Sequence, residues 1–111
     1  IASIEADADA VFTRNSEARA LVEVKCRNNE RLAYDTYMVD SRKLDRLSAL
    51  ASGLCLRPLL VVRFTDALCA IGADEARDAA TSGMGGRTDR HDHSDIDHVY
   101  YVPIEHLRVL A

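Results

Sequence analysis

Apolar residues fall at every second position from Ile4 to Phe12, with Glu5, Asp7 and Asp9 between them. A period of two is the mark of a strand with one face on a core. Asn15-Ser16-Glu17 follows as a turn. The run Arg19–Lys25 is a second strand, with Ala20, Val22 and Val24 on one face. So short a connection makes the pair an antiparallel hairpin. A turn centred on Ser16 sets Asp9 opposite Glu23. Glu23 and Lys25 are two apart and share a face, so the hairpin gathers Asp9, Glu23 and Lys25 on one side, with Asp7 nearby.

The rest of the chain alternates between helix and strand signals. Cys26–Val39 is polar and irregular. Asp40 or Ser41 caps a helix running to about Ser52, with Leu44, Leu47, Ala51 and Leu54 as its apolar stripe and Gly53 as its terminator. Leu59–Phe64 is a buried strand, Thr65-Asp66 a turn, Ala67–Ile71 a further strand, and Ala73–Ala80 a short helix. Ser82–Asp97 is a loop rich in Gly, Asp, Arg and His. Val99–Val102 is a last strand, and Pro103–Leu107 a short helix opened by proline. This order predicts an α/β domain with a mixed β-sheet flanked by helices.

The 111 residues suffice for one domain, which buries roughly 65% of its unfolded surface without disulfide staples. No stretch approaches the roughly 20 apolar residues of a spanning helix, so no membrane role is expected. The net charge of −4 excludes a module that coats nucleic acid through bulk positive charge. It leaves room for a nucleic-acid enzyme, because carboxylates that hold metal ions count against the total until the metal binds. Cys26, Cys55 and Cys69 are odd in number and widely spaced. They suit reduced thiols in an intracellular, cytoplasmic protein better than a disulfide framework or a cysteine zinc site.

Lysine occurs only at positions 25 and 43, against twelve arginines. A compact, tunable cation retained where arginine is the default points to Lys25 and Lys43. Two carboxylates and a lysine on one strand face suit Mg²⁺, which takes one or two carboxylates plus substrate phosphate. Lysine beside them can hold an attacking water or stabilise phosphate charge. The competing reading is an exposed ion pair worth about 0–1 kcal/mol.

These residues resemble a known signature. Asp9, thirteen residues, then Glu23-Val24-Lys25 is similar to that of the PD-(D/E)XK nuclease superfamily. Cys26–Asn29, Tyr34–Met38, Ser41-Arg42-Lys43, Leu60–Asp66, Gly85–Arg90 and Val102–Glu105 resemble segments of its small phage-type members. The resemblance covers most of the chain. It implies a restriction-endonuclease-like core over residues 1–111, hydrolysing DNA phosphodiesters with Mg²⁺, for which Mn²⁺ substitutes. Asp9 and Glu23 would bind the metal with the backbone carbonyl of Val24. Lys25 would be the catalytic lysine, and Lys43 a secondary one on the following helix. Ala8 stands in place of the name-giving proline, which leaves Asp7 open as the ligand in place of Asp9. The family's opening helix is expected to be missing here. DNA is the implied partner, with a homodimer open to the chain, since relatives that cut junctions or specific sites often dimerise.

Other signals compete. Arg27, Arg31, Arg87 and Arg90 are candidates for phosphate contact. Tyr34 and Tyr37 suit stacking on bases, although packing of their loop onto the domain explains them too. Tyr100 and Tyr101 face opposite ways on a strand, so one belongs to the core. His91, His93, His98 and Asp92, Asp95 and Asp97 could hold zinc, but a solvated, glycine-rich loop is the favoured account of them. Gly83–Gly86 lacks the Lys-Ser/Thr of a phosphate loop. A module that keeps the fold, binds nucleic acid or assembles, and lacks catalysis is the alternative function; the acidic balance motivates it.

Overall fold

The computed structural model describes residues 10–86 and 96–111. Strands β1 (Ala10–Arg14) and β2 (Glu17–Cys26) form the expected antiparallel hairpin. Its loop is tighter than the sequence suggested. Asn15 and Ser16 alone make it, both left-handed at φ 53° and 64°, as a type I′ turn requires. The pairing then slips: Thr13 faces Ala18, but Phe12 faces Ala20. Arg19 is the extra residue of a β-bulge. Beyond it Ala10 pairs with Val22, the register a turn centred on Ser16 would produce.

Strand β4 (Arg57–Arg63) runs parallel to β2, with Glu23 beside Leu60 and Lys25 beside Val62. A parallel neighbour needs a long crossover, and the crossover here contains β3 (Thr36–Asp40) and helix α1 (Ser41–Gly53). Strand β5 (Leu68–Gly72) returns antiparallel to β4, and β8 (Arg108–Val109) pairs with β5. The result is a mixed five-stranded sheet of order β1-β2-β4-β5-β8. Between β5 and β8 lie helix α2 (Ala73–Ala79), β6 (Thr81–Gly86) and β7 (Ile96–Pro103). A second sheet, order β3-β7-β6, is antiparallel throughout.

Leu21, Leu60 and Val62 from the first sheet, Leu44, Leu47 and Ala51 from α1, Ala73 and Ala76 from α2, and Tyr37, Val39 and Val102 from the second sheet share one core. Polar groups tie its shell. The Tyr100 hydroxyl donates to Asp45 at 2.9 Å, Arg77 lies 3.0 Å from the same carboxylate, and Ser48 donates to Asp74 at 3.0 Å. These bonds join α1, α2 and β7. No helix among the described residues is long and apolar enough to cross a membrane.

Asp40 caps α1 by accepting from the Arg42 N–H at 2.9 Å. Gly53 ends the helix, yet the left-handed residue is Cys55, φ 56°. Cys55 N–H donates to Ser52 and Leu56 N–H to Ala51, the paired bonds of a Schellman turn. That turn carries Leu54 off the stripe, leaving it 51% exposed.

Two stretches expected to be irregular are strands. Within Cys26–Val39, β3 buries Tyr37 and Val39 and exposes Met38; its short alternation is masked by polar neighbours. Within Ser82–Asp97, β6 extends to Gly86 and pairs with β7. A Cβ on Gly83 would lie 2.6 Å from Cε2 of Tyr101. The glycine there lets the ring lie against the strand, which composition read as loop.

Candidate functional site

On β2 the face pointing into the core begins at Leu21, fully buried, and continues through Glu23 and Lys25. Val24, on the other face, is 42% exposed. The apolar residue of Glu-Val-Lys is therefore the outward one, and the two charges stand at the margin of the core. The reason is local. Leu60 and Val62, the β4 neighbours of Glu23 and Lys25, have no exposed surface, so both charges sit beside a hydrophobic floor.

Lys25 Nζ lies 2.9 Å from Glu23 Oε1, with the side chains 24% and 14% exposed. This is not the solvent-exposed pair of the competing reading. Partial burial weakens screening and raises the cost of leaving either charge alone. Because β2 and β4 are parallel, the pair lies towards their shared carboxyl ends, where open α/β sheets bind ligands.

The same row continues past the strand. Arg27 donates its backbone N–H to Arg63 at 2.9 Å, extending the ladder. Its guanidinium carbon sits 4.9 Å from the centre of the Tyr37 ring. Tyr37 packs edge-on against Phe64, centroids 6.1 Å apart. Burial pushes the Tyr37 hydroxyl up to about 12; the nearby Arg27 charge opposes this and Glu23 adds to it. That hydroxyl is buried without a hydrogen-bond partner among the described residues. Arg31 is half-buried, its backbone N–H held by Asp66 at 2.8 Å.

Beside this row is a cavity of about 310 Å³ whose lining includes Arg27, Arg31, Tyr34, Tyr37, Met38 and Tyr101. A larger cleft, about 950 Å³, is lined by none of Glu23, Lys25 and Arg27; its walls include Phe12, Arg57, Arg108 and Leu110. The charged row, rather than the larger volume, locates the site.

The family model described as "Phage putative PDDEXK endonuclease" matches residues 2–110. The chain belongs to this family. Among solved structures, the 1.6 Å structure of Archaeoglobus fulgidus Hjc, a Holliday junction resolvase from an archaeal hyperthermophile, is similar to it at 12% identity. The TM-score is 0.61, and the match covers 100% of this chain and 79% of that one. This likeness places the chain in the restriction-endonuclease-like fold. No curated protein matches it.

Against the PDDEXK pattern, the described residues bring together Glu23 and Lys25. Asp9 and Asp7 lie outside the described residues, as do Arg87, Arg90, His91, His93 and Asp95. His98 is exposed on β7. Lys43 is exposed in the first turn of α1, with no ion pair to Glu23 among the described residues. Among those residues no three His, Cys, Asp or Glu side chains are grouped to hold a metal ion. Glu23 supplies one oxygen donor, partly buried and next to a backbone carbonyl at Val24. An all-oxygen set of this kind fits a hard divalent cation rather than a thiophilic one.

Sequence reasoning missed the cavity. It took Tyr34 and Tyr37 as loop aromatics and Tyr101 as part of a separate strand, and reading Cys26–Val39 as irregular hid that β3 brings them to one place. The available signal was the Tyr37–Val39 alternation.

Proposed function

We propose that this chain hydrolyses DNA phosphodiester bonds, with Mg²⁺ or Mn²⁺ as cofactor. The half-buried Lys25–Glu23 pair carries the reading. An ion pair at the margin of a core is an expensive arrangement, and in a PDDEXK endonuclease it stands where the signature acid and lysine are expected. Glu23, the Val24 carbonyl and Asp9 would hold the cation. Such a cation, when bound, polarises phosphoryl oxygens and acidifies water.

Lys25 has the protein's part of the chemistry. Its ammonium, already directed at Glu23, would orient a water for in-line attack on phosphorus and offset charge on the phosphoryl oxygens. Arg27 and Arg31 would contact neighbouring phosphates, and Lys43 is a secondary phosphate contact. The experiment is cleavage of supercoiled plasmid and of branched DNA with Mg²⁺, alongside Mn²⁺ titration by calorimetry. Wild type cuts and binds metal, and Glu23→Ala does neither. DNA binding indifferent to metal, with no cleavage, would replace this reading with that of a non-catalytic module.

A further inference from the structure

We propose that the 310 Å³ cavity beside Arg27 receives one unpaired nucleobase of the DNA substrate, next to the phosphate handled at Glu23 and Lys25. The inference rests on the DNA-nuclease reading and narrows it to DNA containing an unpaired nucleotide.

Position comes first. Arg27 follows Lys25 by two residues along an extended row, about 7 Å at strand rise; neither Glu23 nor Lys25 lines the cavity, which meets the charged row at Arg27. Its volume lies at the low end for ligand pockets, roughly 300–1,000 Å³. That suits one planar ring system.

The lining selects the occupant. Tyr34, Tyr101 and Met38 provide aromatic and thioether surface, while Arg27 and Arg31 provide guanidinium groups. Flat apolar walls with cations among them suit a ligand that is planar at one end and anionic at the other, which describes a nucleotide. Tyr101 is set in advance: its ring lies against Gly83, where a Cβ would come within 2.6 Å. Tyr34 is 67% exposed and Met38 43% exposed, so much of their apolar surface stays in water until something covers it. Tyr37, also in the lining, is 4% exposed and its hydroxyl has no partner among the described residues. With so little surface, that hydroxyl is not a contact for the occupant, which is held by the other walls. Bases inside a duplex have their faces stacked and cannot enter; an unpaired base can.

The test uses the full chain without added metal and two otherwise identical DNA duplexes. One carries 2-aminopurine as a single-nucleotide bulge, the other carries it paired. The expected result is at least about tenfold tighter binding of the bulged duplex, with a change in 2-aminopurine emission seen only there. Tyr34→Ala loses most of that preference, and Tyr34→Phe keeps it, because the ring stacks and the hydroxyl does not. Tyr34 is too exposed for either change to endanger folding. Equal binding of both duplexes, or a Tyr34→Ala variant indistinguishable from wild type, overturns the proposal. Cleavage with Mg²⁺ is measured separately. Preferential binding without cleavage would leave the pocket standing and remove the nuclease reading; cleavage without preference would do the reverse.

Discussion

Lys25 Nζ and Glu23 Oε1 are 2.9 Å apart, beside two core residues, Leu60 and Val62, that have no exposed surface. The pair's exposure, 24% and 14%, separates it from a surface salt bridge, and this contrast makes its role testable through folding and function together.

Lys25→Ala is expected to lower DNA cleavage by about 100-fold or more, the scale of losing one positioned group at a reacting centre. It should also destabilise the fold by about 1–3 kcal/mol, because Glu23 keeps a partly desolvated charge without its partner. Lys25→Arg should restore much of the stability and little of the cleavage, since a planar fork does not replace a compact ammonium. Urea unfolding and plasmid nicking on the same preparations check both. Wild-type cleavage by Lys25→Ala would remove the lysine from the mechanism.

The hairpin and the Glu-Val-Lys face were legible because period-two patterns state which residues share a side; the register was not, because the pairing expected from the turn is reached only through the bulge at Arg19. Which side meets the core was not legible either. Ala20, Val22 and Val24 look like the inward set, and Ala20 and Val22 are buried, yet Leu21 on the opposite face is the one that joins the main core cluster and Val24 is 42% exposed. Two packed sheets decide that, and the β2 sequence contains no sign of the second. β3 and β6 were hidden for different reasons. Tyr37 and Val39 are a two-residue alternation within a polar stretch, and Gly83 sits in a strand where the Tyr101 ring fills the place of a side chain. α1 was legible from its stripe, its Asp40 cap and its end near Gly53; the turn that follows was not, since its left-handed residue is Cys55.

Gly83→Ala tests that second case. A Cβ 2.6 Å from Cε2 of Tyr101 cannot be accommodated without moving a ring whose hydroxyl also reaches the Met84 carbonyl at 3.4 Å. Overpacking of this kind costs about 1–3 kcal/mol. The urea midpoint should fall accordingly, and the double variant Gly83→Ala/Tyr101→Ala should recover part of the loss. A midpoint unchanged by Gly83→Ala would mean that the ring does not lie on the strand.

Ser16→Gly should stabilise the protein. Both loop residues of the β1–β2 hairpin are left-handed. Asparagine tolerates that conformation, whereas serine pays for its Cβ. Asn-Gly is the preferred type I′ pair. After the greater freedom of glycine in the unfolded chain is subtracted, a net gain of about 0.5–1 kcal/mol remains, readable as a rise in Tm. Ser16→Val, branched at Cβ, should move Tm the other way.

Tyr37→Phe separates a structural hydroxyl from a functional one. The group is buried and unpartnered among the described residues, so its removal at neutral pH should leave stability unchanged or raise it by up to about 1 kcal/mol. Alkaline pH adds a second signature. Burial raises the Tyr37 pKa from 10.0 to about 12, so the folded state favours the neutral phenol. That contribution is complete below pH 10 and is lost as pH rises towards 12, where the unfolded chain has released its proton and the folded one has not. Over this window wild type should lose on the order of 2 kcal/mol more than Tyr37→Phe, measured as the difference between their urea unfolding free energies at pH 9 and pH 12. Parallel curves would mean that Tyr37 titrates as in the unfolded chain, and that its ring is not held in the core against Phe64.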